Sequence, residues 1–106
     1  MHDLKWSESE KKQARVAFNA CLQAELAEMV NTFKSRAAAA TSADEVWAIE
    51  EFLTQKRREI DGKYDYRYSQ LIIVFGRLVR EGRLREEELQ DFSADKQSYI
   101  LRIASL

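Results

Sequence analysis

The sequence of residues 44–65 is DEVWAIEEFLTQKRREIDGKYD, and it predicts a helix with two unlike faces. At about 100° per residue, one face collects apolar side chains, as in a helix that packs on a core. This apolar face consists of Val46, Ile49, Phe52, Leu53 and Ile60. The opposite face is charged and carries one large aromatic; its members are Trp47, Glu50, Glu51, Thr54, Arg57, Arg58 and Asp61. Because Trp47 lies among charges, we expect another surface to cover it.

The charged face complements itself. Glu51 and Arg57 are six residues apart and point about 120° away from each other in one helix, so they should not pair within it. If two copies cross antiparallel near Thr54, Glu51 of one copy faces Arg57 of the other. The same crossing brings together Glu50 with Arg58 and Trp47 with Asp61. An isologous twofold interface has this property, so we predict a homodimer, with higher oligomers left open. The alternative is a solvated face with one exposed Trp.

Composition favours long helices in a single domain. The chain has 106 residues, no Pro and only three Gly, whereas a strand-and-turn fold needs more turn residues. The formal net charge is −1 with both signs interleaved, which argues against a general nucleic-acid or anionic-membrane binder. Cys21 is the single cysteine, so no intrachain disulfide is expected and a reducing cytoplasm suits the chain. No signal peptide or membrane span is recognisable.

The N-terminal half predicts a helical hairpin. Residues 1–6 suggest a frayed tail that contains the only histidine, His2. Ser7 and Glu10 form a capping-box pattern that starts a helix of about 30 residues. Its apolar positions are Ala14, Phe18, Cys21, Leu22, Leu26, Met29, Val30 and Phe33. Ser42 and Glu45 repeat the capping pattern after a short connection, so helices 1 and 2 should be antiparallel neighbours.

The C-terminal half predicts a compact group of short helices. Gly62 either ends helix 2 or bends it. The alternation of Tyr64, Tyr66 and Tyr68 suits a strand, but we favour a helix because no second strand is available for pairing. Next come a buried helix with a cap at Arg80-Glu81-Gly82, a short helix begun by Glu86, Glu87 and Glu88, and a last helix capped by Ser93. The predicted division is 1–63, a tail with a dimerising hairpin, and 64–106, a helical head.

Catalytic and metal-binding patterns are absent from the sequence. One terminal histidine cannot supply a Ser-His-Asp or Cys-His constellation, and no Gly-rich phosphate loop or Cys/His metal set occurs. We therefore expect neither enzymatic activity nor a cofactor or metal. A basic cluster lies beside the apolar segment 71–75 and contains Arg77, Arg80, Arg83 and Arg85. It is either a solvated face or a docking site for an acidic protein surface.

Four motifs together resemble the fluorescence recovery protein family of cyanobacteria. They are DEVWAIEEFLTQKRREIDGKYD, LIIVF…LVREG, EEL and ADKQS, in that order, from about Asp44 to the C-terminus. The resemblance implies an all-helical protein that dimerises through its hairpins into a four-helix bundle. It implies binding to the photoactivated orange carotenoid protein, mainly to its C-terminal domain. Faster red-to-orange reversion of that partner would relieve quenching at the phycobilisome. Members of the family carry no pigment and are not enzymes.

The resemblance also assigns residues. The family's interface Trp and Arg match Trp47 and Arg57, and its interface acid matches Glu51. Three positions depart from the family pattern: Glu50 replaces a usual His, Ile73 a frequent Phe and Tyr99 an expected Lys. The docking site for the partner protein is expected in the head, at Ile73, Arg77, Arg80 and Tyr99. The alternative function is a dimeric adaptor of the same fold that acts on a different protein partner.

Overall fold

The computed structural model describes residues 4–106, and every regular element in that range is helical. The elements are α1 (Glu8–Ala39), α2 (Ala43–Lys63), α3 (Leu71–Arg80), a 3₁₀ helix (Glu86–Leu89) and α4 (Ala94–Ala104). The all-helical prediction is confirmed, whereas His2 lies outside the described residues. Two compact units are present: residues 22–63 form one, and residues 4–21 with 64–106 form the other. No helix in the described range is long and apolar enough to span a membrane.

The first helix begins where the capping box predicts. The Ser7 Oγ accepts the Glu10 backbone N–H at 3.2 Å, and the Ser7 N–H donates to Glu10 Oε1 at 2.9 Å. These bonds satisfy backbone donors that a helix start leaves without intrahelical partners. The start of α2 is capped in the same way, since the Glu45 N–H donates to Ser42 Oγ at 3.2 Å. Helix α2 continues to Lys63, so Gly62 lies within its last turn and does not interrupt it.

The 22–63 unit, called the hairpin below, is antiparallel. Near one end the ammonium group of Lys63 forms an ion pair with Glu25, and both side chains are buried. Near the other end the Arg36 guanidinium lies 4.3 Å from the centre of the Phe52 ring. These contacts fix the register of α2 against the second part of α1. Ile49 and Ile60 are the buried apolar residues that α2 contributes.

The other unit, called the head below, has a conventional core. Its wholly buried side chains come from α3, α4 and the segment between them: Leu71, Ile72, Phe75, Leu78, Leu84, Leu89 and Ile100. Helices α3 and α4 approach each other at Gly76, where an added Cβ would lie 2.5 Å from Ile103 Cγ2 and 3.1 Å from the Ile100 carbonyl oxygen. Only a glycine allows backbones to pack this closely.

Helix α3 ends in a Schellman motif, as the Arg80-Glu81-Gly82 pattern predicts. Gly82 has φ +76°, the Arg83 N–H donates to the Leu78 carbonyl at 2.9 Å, and the Gly82 N–H donates to the Val79 carbonyl at 3.0 Å. The final helix starts as predicted too, because Ser93 Oγ accepts the Lys96 N–H at 3.3 Å. The triple-Glu segment is a single 3₁₀ turn in which the Arg85 N–H donates to Glu88 Oε1 at 3.1 Å.

The helix predicted through Tyr64, Tyr66 and Tyr68 is wrong. Residues 64–67 have no regular secondary structure, and 68–70 form a turn. The three rings pack on the N-terminal part of the chain. Tyr64 and Tyr66 pack edge-on against Phe18 of α1, and Tyr68 lies against Trp6, just before α1. The period of two is therefore that of an extended segment whose alternate side chains share one face. A helix surface covers that face, so no partner strand is needed.

The frayed tail predicted for residues 1–6 is wrong at Trp6. That side chain is only 8% exposed, and its ring lies edge-on to Phe92 with centroids 5.7 Å apart. A large aromatic directly before a helix N-cap gains more from burial than its ordering costs. The head consequently includes residues 4–21, whereas the predicted boundary assigned everything before residue 64 to the tail and hairpin.

Candidate interaction surfaces

The predicted dimer face is fully accessible in the single chain. Trp47 is 62% exposed, and the six polar members of the face are exposed as well. Arg57 Nε lies 3.7 Å from Asp61 Oδ2, an ion pair within the helix. Such an exposed pair stabilises a helix by about 0.3–0.5 kcal/mol, so exchanging it for another partner costs little. The structure therefore leaves the whole face available to a second surface.

The hairpin also leaves apolar residues uncovered. Val46, predicted for the core, is 49% exposed because the short α1–α2 connection offers no further element to pack on it. On α1, the end of the predicted stripe is exposed at Val30 and Phe33, and only half-buried at Met29. Two helices cover only one stripe of each other. The remaining apolar area is what a further pair of helices would bury.

A groove runs between the two helices of the hairpin. Its volume is about 370 Å³, and it is lined by Leu26, Met29, Leu53, Lys56, Arg57, Ile60 and Asp61. Leu26, Met29, Leu53 and Ile60 supply apolar walls, and Arg57 and Asp61 also belong to the dimer face. This hairpin groove is therefore continuous with that face. No local sequence pattern indicates this groove, because it depends on the register between α1 and α2.

The predicted docking residues of the head lie on two helices. Ile73, Arg77 and Arg80 share one face of α3, four and three residues apart, and all three are exposed. Ile73 is 48% exposed although its neighbours Ile72 and Val74 are buried. Tyr99 is half-buried on α4, next to Ile100, which packs on the Gly76 side of α3. The head thus presents an apolar side chain with two cations beside it.

The basic cluster is largely balanced by its own acids. Arg77 Nε lies 3.1 Å from Glu81 Oε2, and Arg83 Nε lies 3.5 Å from the other oxygen of that carboxylate. Arg85 Nε lies 3.1 Å from Glu88 Oε1. These local pairs favour the solvated interpretation for Arg83 and Arg85. Arg77 has such a pair too, but it and Arg80 follow Ile73 by four and seven residues on the same exposed face of α3, so both remain candidates.

A buried ion pair holds the head together. Lys96 Nζ lies 3.1 Å from Glu10 Oε1 and donates to the Lys5 carbonyl at 2.6 Å, while the Ser93 N–H donates to Glu10 Oε2 at 2.8 Å. One carboxylate therefore caps the start of α1 and reaches the start of α4. Burial raises the pKa of Glu10, but the backbone donors and the Lys96 ammonium outweigh it, so the net pKa lies below the ordinary 4.5.

Sequence reasoning missed the Glu10–Lys96 pair for a simple reason. The capping-box pattern indicates only a local role for Glu10, and nothing in the ADKQS motif marks its lysine as buried. The residues between 4 and 106 contain no cluster of three or more metal-ligating side chains. The candidate sites are two exposed surfaces: the dimer face with its groove, and the Ile73 face of the head.

Known proteins are similar to this chain in sequence and fold over nearly their whole length. Residues 6–104 match the family model described as photoprotection regulator fluorescence recovery protein. The chain is 43% identical over 101 residues to the fluorescence recovery protein of Synechocystis sp., covering 95% of this chain and 93% of that protein. The solved Synechocystis structure has a TM-score of 0.92 at 42% identity and covers 96% of this chain and 100% of that one. The solved structure of the Fremyella diplosiphon fluorescence recovery protein also has a TM-score of 0.92, at 33% identity, and covers 96% of this chain and 100% of that one.

Proposed function

The chain belongs to the fluorescence recovery protein family of photoprotection regulators, and on that premise we propose that it accelerates the red-to-orange reversion of an orange carotenoid protein. The match over residues 6–104 carries the proposal, because it includes both the hairpin and the head. The reversion would restore phycobilisome fluorescence. The acting form is a cytoplasmic homodimer that binds the photoactivated partner, mainly at its C-terminal domain.

Exposed surface on the hairpin supports the dimer. Trp47 is the kind of large aromatic anchor that dominates binding energy at protein interfaces, and charges surround it. Glu51 and Arg57 lie on either side of Thr54, so an antiparallel second copy pairs each with its opposite. Tight pairing through apolar anchors and complementary charges is typical of a stable twofold assembly.

The Ile73 face supports docking of the partner protein. An exposed isoleucine beside Arg77 and Arg80 suits an acidic surface with an apolar depression. Catalysis in the chemical sense is not needed for faster reversion. Binding the arrangement in which the partner is ready to close more tightly than the open form lowers the barrier to reversion, and release of the compact form lets one dimer act on many partners.

The test is dark relaxation of a photoconverted orange carotenoid protein with substoichiometric amounts of this chain. We expect acceleration, and we expect Ile73→Ser to weaken it while leaving the dimer intact. The matched control is Val16→Ser, which changes an apolar side chain of similar exposure, 56%, elsewhere in the head. Unchanged relaxation in the presence of a folded dimer contradicts the proposed function.

A second function is favoured by the head substitutions. Ile73 and Tyr99 stand where the family pattern has Phe and Lys, so the docking chemistry differs in size and in charge. The same scaffold would then be a dimeric adaptor for a different protein. Affinity capture from the native lysate with the wild type and Ile73→Ser distinguishes the two. Recovery of the orange carotenoid protein alone, lost in the variant, eliminates the adaptor.

A further inference from the structure

Two tyrosine rings of the head each carry a cation from the start of α1. The Arg15 guanidinium lies 3.5 Å from the centre of the Tyr66 ring, and Lys11 Nζ lies 5.4 Å from the centre of the Tyr68 ring. Lys12, next to Lys11 in the chain, is exposed. We propose that these five residues, called the cation–tyrosine surface below, form a docking site for an extended acidic segment of a partner protein.

The cations of this surface are placed where they repel one another. Arg15 follows Lys11 by four residues and Lys12 by three, and like charges at these spacings destabilise a helix. The next residues at the same spacings are Phe18 and Asn19, so no acid on α1 offsets the repulsion. In the part of the chain that the structure describes, no carboxylate lies within 4.0 Å of the charged groups of Lys12 or Arg15. Positive charge therefore remains available to an anion from outside.

The tyrosine rings are fixed from below. Tyr66 packs edge-on against Phe18 with centroids 4.8 Å apart, and its hydroxyl donates to a backbone carbonyl of α1 at 3.4 Å. The Tyr68 ring lies 5.9 Å from the ring of Trp6, which is buried. A guanidinium stacked on a fixed ring keeps its N–H fork for a carboxylate and loses little freedom when it binds one. Arg15 is therefore held in place before a partner arrives.

The spacing of the rings suits an extended partner segment. The centroids of Tyr66 and Tyr68 lie 5.8 Å apart, and each ring carries one cation. Alternate side chains of an extended chain are about 6.6 Å apart, which is close to that separation. Two carboxylates at alternate positions of one segment can therefore reach Arg15 and Lys11 together.

Acids beside the surface favour a protein partner over a nucleic acid. Glu8 lies 3.5 Å from Lys11, and Asp65, which precedes Tyr66, pairs with Arg67 at 2.9 Å. A continuous phosphate backbone would be repelled by these two carboxylates, whereas a peptide can carry its acids only where the cations are. The net charge of −1 also gives the chain no general attraction for a polyanion.

A short acidic peptide tests the surface. The probe is an acetylated and amidated peptide with two glutamates at alternate positions, and the control peptide has glutamine at both. Each is titrated into the isotopically labelled full chain and followed by NMR. We expect saturable shifts of the backbone amides of residues 11–15 and 66–68 with the glutamate peptide only. Equal binding of the two peptides, or shifts confined to other residues, overturns the proposal.

Substitution of Arg15 measures its contribution. We expect Arg15→Gln to bind the glutamate peptide about tenfold more weakly, the usual cost of losing a hydrogen-bonded charge. Arg15→Lys keeps the charge without the planar fork and should still bind severalfold more weakly than the wild type. The matched control is Arg67→Gln, because Arg67 is exposed in the same segment but stands between the two tyrosines and points to the other side. Its dissociation constant should equal that of the wild type.

A second variant keeps the test independent of the ring contact. Lys12→Gln removes a cation that does not stack on a tyrosine, so the fold is preserved, and it should weaken peptide binding severalfold. Wild-type affinity in both Lys12→Gln and Arg15→Gln overturns the docking site. Tighter binding of an oligonucleotide or of anionic lipid vesicles at the same amides overturns its assignment to a protein. The surface shares no residue with the Ile73 face, so the proposed function is judged separately.

Discussion

Gly76 is the residue on which the packing of α3 against α4 depends. An added methyl group would lie 2.7 Å from Ile103 Cβ, which cannot swing aside as the end of a long side chain does. We predict that Gly76→Ala lowers the free energy of unfolding by about 1–3 kcal/mol, the usual result of overpacking a core. Urea denaturation measures the change.

The same measurement has a control within the chain. Gly62 is helical and no atom lies within 4 Å of an added Cβ, so Gly62→Ala should be neutral or raise the free energy of unfolding by up to about 1 kcal/mol. Equal effects at the two glycines would contradict the close approach of α3 and α4.

Glu10 makes the stability of the head depend on pH. Its pKa is lowered in the folded chain, so its contribution is complete above the ordinary value of 4.5 and disappears as pH falls through the folded pKa. We predict that Glu10→Gln is less stable than the wild type by about 3 kcal/mol at pH 7, because Lys96 stays buried without its carboxylate. The difference should shrink below pH 4.5.

Thermal unfolding from pH 7 to pH 3 measures that difference. Glu8→Gln is the matched control, since Glu8 lies in the same first turn but is exposed and pairs with Lys11 at 3.5 Å. A gap between the wild type and Glu10→Gln that stays constant over the whole range would rule out titration of Glu10 as its source.

Helix α2 carries the face that we propose as the dimer interface. Arg57→Glu places a carboxylate opposite Glu51 of a second copy, and we predict a shift from dimer to monomer in analytical ultracentrifugation. The double variant Glu51→Arg/Arg57→Glu restores opposite charges and should recover much of the dimer. Monomer in the double variant, or dimer in the single one, would place the interface elsewhere.

Among the helices and their ends, sequence patterns predict correctly those features that depend on neighbouring residues. The Ser7–Glu10 box and the Gly82 motif depend on neighbouring residues, and both are present. The extended segment 64–67 was misassigned because its partner is α1, about 50 residues earlier in the chain. The ion pair between Glu25 and Lys63 was not predicted for the same reason, since nothing in either local sequence marks it as buried.

For the whole molecule, the proposed dimer would bury apolar area that the hairpin leaves exposed, so we expect assembly to contribute to stability. Binding that occurs only in the folded state raises the unfolding temperature with protein concentration. We predict that the unfolding midpoint of the wild type rises across a hundredfold range of concentration, whereas that of Trp47→Ala does not. Calorimetry at the two concentrations makes the comparison, and a concentration-independent midpoint for the wild type would contradict coupling between folding and dimerisation.

The bond between Glu10 and Ser93 also sets an order of events during synthesis. Contacts within the hairpin join residues at most about 40 positions apart and form early, while the head cannot close until α4 has left the ribosome. The bond from Ser93 to Glu10 therefore forms only after nearly the whole chain has been translated, although the Ser7–Glu10 cap of α1 is local. A nascent chain consequently presents its hairpin, with Trp47 exposed, to other chains before its head exists.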